Sequence, residues 1–154
     1  MQEQDYEYAG FWVRTGATIV DAILLMLITY PLLILIYGWA YFDLEQTAIV
    51  AGPADVLITW VLPAIAVIWF WLKRQATPGK MAVSAKVVDA TTGQTLSIGQ
   101  SIGRYFAYFV SFLPLGLGIL WIVFDKRKQG WHDKLANTVV IRVKHGDSSP
   151  VRFE

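Results

Sequence analysis

The stretch from Phe11 to Phe42 limits this chain more than any other feature. It is apolar almost throughout, with Arg14 and Asp21 its only charged residues. A hydrocarbon core needs roughly 20 helical residues to cross it, so the run predicts a transmembrane helix with length to spare for tilt. Pro31 removes a backbone donor inside it and predicts a kink near Leu27. Phe11 and Trp12 at one end, and Trp39, Tyr41 and Phe42 at the other, suit the two interfaces. A second run, about Ala54 to Leu72, is nearly free of charge and closes on Trp69, Trp71, Lys73 and Arg74, which predicts a second spanning helix. The connection from Asp43 and Glu45 to Asp55 contains no Lys or Arg. The positive-inside rule therefore makes it external, and places the N-terminus and Lys73 in the cytoplasm.

The composition agrees: 55% of the 154 residues are hydrophobic, only 16% are charged, and the mean hydropathy is +0.45. The expectation is one membrane domain over residues 1–154. A net charge of +1 hides an uneven distribution that bears on topology rather than on nucleic-acid binding. Without cysteine there can be no disulfide, thiol chemistry or cysteine-bound metal. Glu3, Asp5 and Glu7 stand where a cleavable signal would be basic, so the first helix is expected to remain in the mature protein.

A third apolar segment, Tyr105 to Phe124, has basic flanks on both sides: Lys73, Arg74, Lys80, Lys86 and Arg104 before it, and Lys126, Arg127 and Lys128 after it. Its middle is Pro114-Leu-Gly116-Leu-Gly118, a helix-breaking run. Two short helices over about 98–124, entering and leaving on the cytoplasmic side, are predicted; an ordinary third span with an external C-terminus is the alternative. The fold class is thus an all-α membrane protein with two transmembrane helices, a broken third segment and a small cytoplasmic sheet. The sheet is expected as a hairpin over about 81–97, from β-branched residues between Met81 and Asp89, a Thr92-Gly93 turn and a return at Thr95 to Ser97. Ser97-x-x-Gln100 has capping-box spacing for a helix near Ile98, and Thr138 to Val143 is another strand-like run that could join the hairpin as a third strand. Residues 125–154 are expected to be cytoplasmic, ending in a loose polar tail from His145 to Glu154.

Arg14 and Asp21, seven positions apart, share one helix face with Thr18. Asp21 would lie about 15 Å deep, where an ionised carboxylate costs several kcal/mol unless paired, hydrated or protonated. It is either a proton or cation site coupled to Arg14, or half of an ion pair that locks helices together. Arg104 is either an interfacial anchor or a partner for Asp21. Asp125 followed by Lys126, Arg127 and Lys128 reads as a solvated cluster that attracts anionic lipid headgroups. His132 beside Asp133 could relay protons, whereas metal binding would need a third ligand; Asp133 could instead cap a short helix or pair with Lys134 or Arg127. No nucleophile with its base, phosphate-binding glycine loop or metal-ligand set is visible, so neither enzyme chemistry nor a cofactor is expected.

Tyr8-Ala-Gly-Phe-Trp-Val-Arg14 with Asp21, Thr77-Pro-Gly-Lys80, and Trp131-His-Asp-Lys-Leu-Ala-Asn-Thr138 resemble the RDD family of bacterial membrane proteins over residues 6–144. Asn137 stands where that pattern would have glycine. The resemblance implies that Arg14 and Asp21 are the family's named arginine and first aspartate, with Asp133, or else Asp125, as the second. It also implies residence in the bacterial inner membrane and a transport role, with cation/proton antiport considered for some members. The expectation is therefore a transport-related protein in which Asp21 titrates. The alternative is a non-transporting accessory subunit of a larger complex. Two spans enclose little, so a homo-oligomer is expected, with Gly16-Ala17 permitting close helix approach.

Overall fold

A computed structural model describes residues 5–43, 49–144 and 150–154. Glu45 of the expected external loop and residues 145–149 of the expected tail lie outside the described residues.

Strand β1 (Tyr6–Tyr8) leads through Ala9 and Gly10 into helix α1 (Phe11–Tyr37), 27 residues and about 40 Å long. The helix stops five residues short of the expected Phe42. Gly38 takes φ 71°, a left-handed conformation that suits glycine, and gives its N–H to the Ile34 carbonyl at 2.8 Å. Trp39–Phe42 then forms a single 3-10 turn. Helix α2 (Pro53–Arg74) opens on a proline that needs no donor and carries one π turn at Leu57–Val61. Gln75, at φ 57°, ends it. Both helices are long and apolar enough to cross a bilayer.

The expected hairpin does not form. Residues Pro78–Ala82 make a short helix, α3, which takes Met81 out of the strand. Strand β2 (Ala85–Asp89) does reverse at Gly93, with Gly93 N–H bonded to the Asp89 carbonyl at 2.9 Å. The returning chain then leaves the sheet, buries Leu96 and caps the next helix instead of pairing. The partner of β2 is β3 (Thr138–Val143), which lies between β1 and β2 in an antiparallel sheet of order β1-β3-β2. Thr138, Val139, Val140 and Ile141 are consecutively buried because both faces of this central strand are covered. Val140 packs with Ala9, Trp71, Ala85, Val87 and Leu96 on one side. Val139 and Ile141 pack with Val88, Ala90 and Val151 on the other. Residues 150–154 are therefore docked rather than loose: Val151 N–H bonds to the Tyr6 carbonyl at 3.2 Å and Glu154 N–H to the Ala90 carbonyl at 3.1 Å.

Helix α4 (Ile98–Phe112) begins with a complete capping box: Ser97 Oγ accepts from Gln100 N–H at 3.1 Å, and Gln100 Oε1 accepts from Ser97 N–H at 3.0 Å. Its faces are inverted relative to a helix in water. Ser101, Arg104, Ala107 and Ser111 are buried, while Ile102, Phe106, Phe109, Val110 and Phe112 are exposed. After Phe112 the chain turns by 108° through Pro114, Leu115 and Gly116 into α5 (Leu117–Val123). The short helix α6 (Trp131–Leu135) then precedes β3.

Gly118 on α5 is pressed against α4, where a Cβ would come within 2.6 Å of Ser111 Cα. Gly118→Ala should therefore lower stability in detergent by about 1–3 kcal/mol. Gly103→Ala, on an open face of α4 with nothing within 4 Å, should be neutral or stabilise by up to about 1 kcal/mol. Thermal unfolding of the two variants checks the contrast.

Candidate functional site

Where α1, α4 and α6 meet, the apolar chain encloses a cluster of charge. Asp133 is its centre and is wholly buried. Its Oδ2 accepts from the Gly130 backbone N–H at 2.8 Å, which caps α6, and forms an ion pair with Arg14 Nη2 at 2.7 Å. Its Oδ1 takes Arg104 Nη1, which also donates to Thr138 Oγ1. Burial alone would raise the Asp133 pKa, but Arg104 and Arg14 outweigh it and hold the carboxyl far below the usual range. Arg104 is fully buried, so it does not serve as an interfacial anchor. Its partner is Asp133 and not Asp21.

His132 sits beside this pair. Arg14 Nη2, a guanidinium nitrogen that can only donate, lies 2.9 Å from His132 Nε2, so Nε2 must accept and the ring proton belongs on Nδ1, where it reaches Ser111 Oγ at 3.1 Å. Burial, opposed by Asp133 and reinforced by Arg104 and Arg14, lowers the imidazole pKa from 6.5 to about 3, in keeping with that neutral tautomer. Tyr108 stacks on the ring, centroids 3.9 Å apart, and also lies near-parallel to Trp71 at 6.3 Å. Arg104 lies over Trp71 at 5.2 Å and over Tyr108 at 5.7 Å. Lys80 is buried against the same group: burial lowers its pKa first of all, with Tyr108 and Asp21 opposing and Arg104 and Arg14 adding to the effect.

Asp21 stands apart from both guanidinium groups. It is half-buried on α1; its Oδ2 accepts from Thr77 Oγ1 at 2.5 Å and its Oδ1 from the Gly79 N–H at 2.7 Å. The carboxylate thus caps α3 and ties it to α1. The fit depends on glycine, since a Cβ at Gly79 would fall 1.9 Å from the Ala17 carbonyl oxygen. Asp125 lies outside the cluster. It pairs with Lys134 at 2.5 Å and accepts from the backbone N–H groups of Arg127 and Gln129, so Lys134 is its partner rather than that of Asp133. Among the described residues, no three His, Asp or Glu side chains converge as a metal-ligand set.

Tyr108, Ser111 and Thr138 escaped the sequence reading. Ser101, Arg104, Tyr108 and Ser111 recur every three or four residues, a polar stripe on an apolar helix that would have exposed the first two. Asp55 also escaped it. At the other end of α2 it is buried and accepts from Tyr41 Oη at 2.9 Å, Thr59 Oγ1 at 2.8 Å and the Ala51 N–H at 2.9 Å.

Two variants separate the acids. Asp133→Asn leaves two buried guanidinium groups short of a counter-charge and should cost about 3–5 kcal/mol, whereas Asp125→Asn should cost about 1 kcal/mol or less. Acid should also weaken the fold through His132. The unfolded chain takes up this proton near pH 6.5 and the folded one only near about 3, so stability is complete above 6.5 and is lost as the pH falls through that window. Unfolding midpoints measured from pH 7 to 4 should show the slope, and His132→Gln should flatten it.

The RDD family profile matches residues 8–137. Uncharacterized protein YxaI of Bacillus subtilis is 31% identical over 147 residues, covering 86% of this chain and 96% of that protein. Uncharacterized membrane protein YteJ of the same organism is 29% identical, covering 90% of this chain and 84% of that protein. The proline-rich antigen homolog of Mycobacterium tuberculosis is 31% identical over 94 residues, covering 56% of this chain and 39% of that protein. No solved structure matches.

Proposed function

The chain belongs to the RDD family of bacterial membrane proteins, and on that footing we propose that it is transport-related, exchanging protons for a monovalent cation with Asp21 as the titrating carboxylate. The observation that carries this reading is the inequality of the acids. Asp133 is sealed between two guanidinium groups and has no vacancy for a proton or a metal ion. Asp21 is held by two neutral donors only, retains partial exposure, and projects from a helix that beyond Arg14 carries no other charge. A carboxylate so placed can trade one monocation for another without breaking an ion pair. Arg14 and Asp133, the latter taken as the family's second aspartate, then act as the frame that fixes α1 against α4 and α6, with Arg104, His132 and Lys80 completing it.

The topology that goes with this reading has α1 and α2 crossing the inner membrane and both ends of the chain in the cytoplasm. It is supported by the sheet. β1, β3 and residues 150–154 all belong to one packed unit. The chain also leaves that unit before α4 and rejoins it after α6. A segment that enters a bilayer and returns to the side it came from does not cross it, and in this reading the 108° turn at Pro114 to Gly116 is the bottom of the dip. A second reading, an accessory subunit docked on a larger complex, draws on the apolar faces that α1 and α2 leave exposed, as does an oligomer of this chain.

In liposomes holding the purified protein, a cation gradient should drive proton movement; Asp21→Asn should abolish it with folding intact, and Asp125→Asn should preserve it. Absence of exchange in the parent under sodium, potassium and lithium gradients turns the choice to the accessory role. Because the chain has no cysteine, single cysteines report sidedness directly. Val50→Cys should react with an impermeant thiol reagent applied to intact cells, and Glu154→Cys should react only after lysis. Labelling of Glu154→Cys from outside rejects the dip.

A further inference from the structure

We infer that an open pocket beside the end of α5 seats the phosphate of an anionic phospholipid in the leaflet on the sheet side. The pocket has a volume of about 690 Å³ and combines two kinds of wall. One is apolar: Trp121 and Phe124, at and just after the end of α5, are 45% and 81% exposed, as rings facing acyl chains would be. The other is cationic, with Lys126, Arg127, Lys134 and Arg152 set against the two acids Asp125 and Glu154.

These cations are not equivalent. The Arg127 guanidinium is spent on the protein itself, donating to the Ala90 carbonyl at 2.7 Å, the Arg152 carbonyl at 3.0 Å and Tyr8 Oη at 3.3 Å. It builds the floor and holds the last residues of the chain in place. Lys134 neutralises Asp125 at 2.5 Å and rests over the Trp121 ring. That leaves Lys126 and Arg152, both exposed, whose cationic heads bond to nothing else among the described residues. Lys128, grouped with them by sequence, bonds to the Val123 carbonyl and lines a separate hollow with Phe11 and Trp12. The seat is thus Lys126 and Arg152 above a floor of Arg127, next to an aromatic wall. A fixed cationic site bordered by rings that lipid tails can cover suits a phosphodiester headgroup better than a free ion, which has no use for the wall.

This inference rests on membrane embedding and not on ion exchange, so a negative flux result leaves it standing. The test is native mass spectrometry of the purified full chain, titrated with phosphatidylglycerol and with phosphatidylcholine of the same acyl chains. The parent should retain phosphatidylglycerol preferentially. K126Q and R152Q should each weaken that preference by about fivefold, and the double variant should approach parity. The double variant K73Q/R74Q, altered at exposed cations on α2 away from the pocket, should keep the preference, and thermal unfolding should show all variants folded. Equal retention of the two lipids by the parent, or equal loss in K73Q/R74Q, overturns the site. Displacement of phosphatidylglycerol by millimolar inorganic phosphate would make it a free-anion site and reject the lipid.

Discussion

A single carboxylate, that of Asp133, joins three parts of this protein that are far apart in the chain. Arg14 reaches it from the first apolar helix and Arg104 from the inverted helix α4, while the Gly130 N–H binds it into the segment leading to the central strand, whose Thr138 hydroxyl accepts from the same Arg104. A guanidinium group inside an apolar jacket costs several kcal/mol to desolvate, and two of them around one carboxylate are tolerable only because each also finds neutral acceptors. Arg14 also donates from Nη1 to the Lys128 carbonyl and from Nη2 to His132 Nε2, and Arg104 donates to the Thr138 and Tyr108 hydroxyls. The neutrality of His132 follows from the same demand. A charged imidazole there would face Arg14 without a lone pair to offer.

The same arithmetic separates the two acids that sequence alone treats as alike. Asp133 receives charged donors and is sealed, whereas Asp21 receives a hydroxyl and a backbone amide and is not. Hydrogen bonds from neutral groups stabilise a carboxylate while leaving its net charge in place. That remaining charge is what the proposed exchange requires, and it is why the role is assigned to Asp21. Its donors come from Thr77 and Gly79, either side of Pro78, so the short Thr77-Pro-Gly-Lys80 motif works as one device: a cap acceptor on α1, a glycine that lets the backbones touch, and a buried lysine one residue on.

What could be read from the sequence was local. The two long apolar helices follow from length and hydropathy, the capping box at Ser97 from a spacing of three, and the break near Gly116 from Pro and Gly. Pairing at a distance was legible only in part: Thr138 to Val143 reads as a strand that joins the sheet, but not as its central strand between β1 and β2. The hairpin expectation paired β2 with its nearest sequence neighbour, but β2 finds β3 some fifty residues on. The clue was the unbroken run Thr138-Val-Val-Ile, which suits a strand covered on both faces and so a central one. The choice between an interfacial Arg104 and one paired with Asp21 failed for the same reason: its true partner is brought near by the packing of α6 against α4. The tail looked loose because Val151 and Phe153 are too few apolar residues to signal a core that other segments provide.

The position of β3 has a consequence for how the molecule is made. Of the three strands, the one in the middle of the sheet is the last to leave the ribosome, and its edge partner Tyr6–Tyr8 is the first. Until β3 is synthesised, β1 and β2 have nothing to pair with, and until Asp133 is made Arg14 waits in the first helix without its counter-ion. Contacts of such long sequence separation form slowly. The two apolar helices, long enough to cross a bilayer, are complete before the sheet exists, and the nascent protein has only their apolar faces to hold it until its central strand closes the sheet from within.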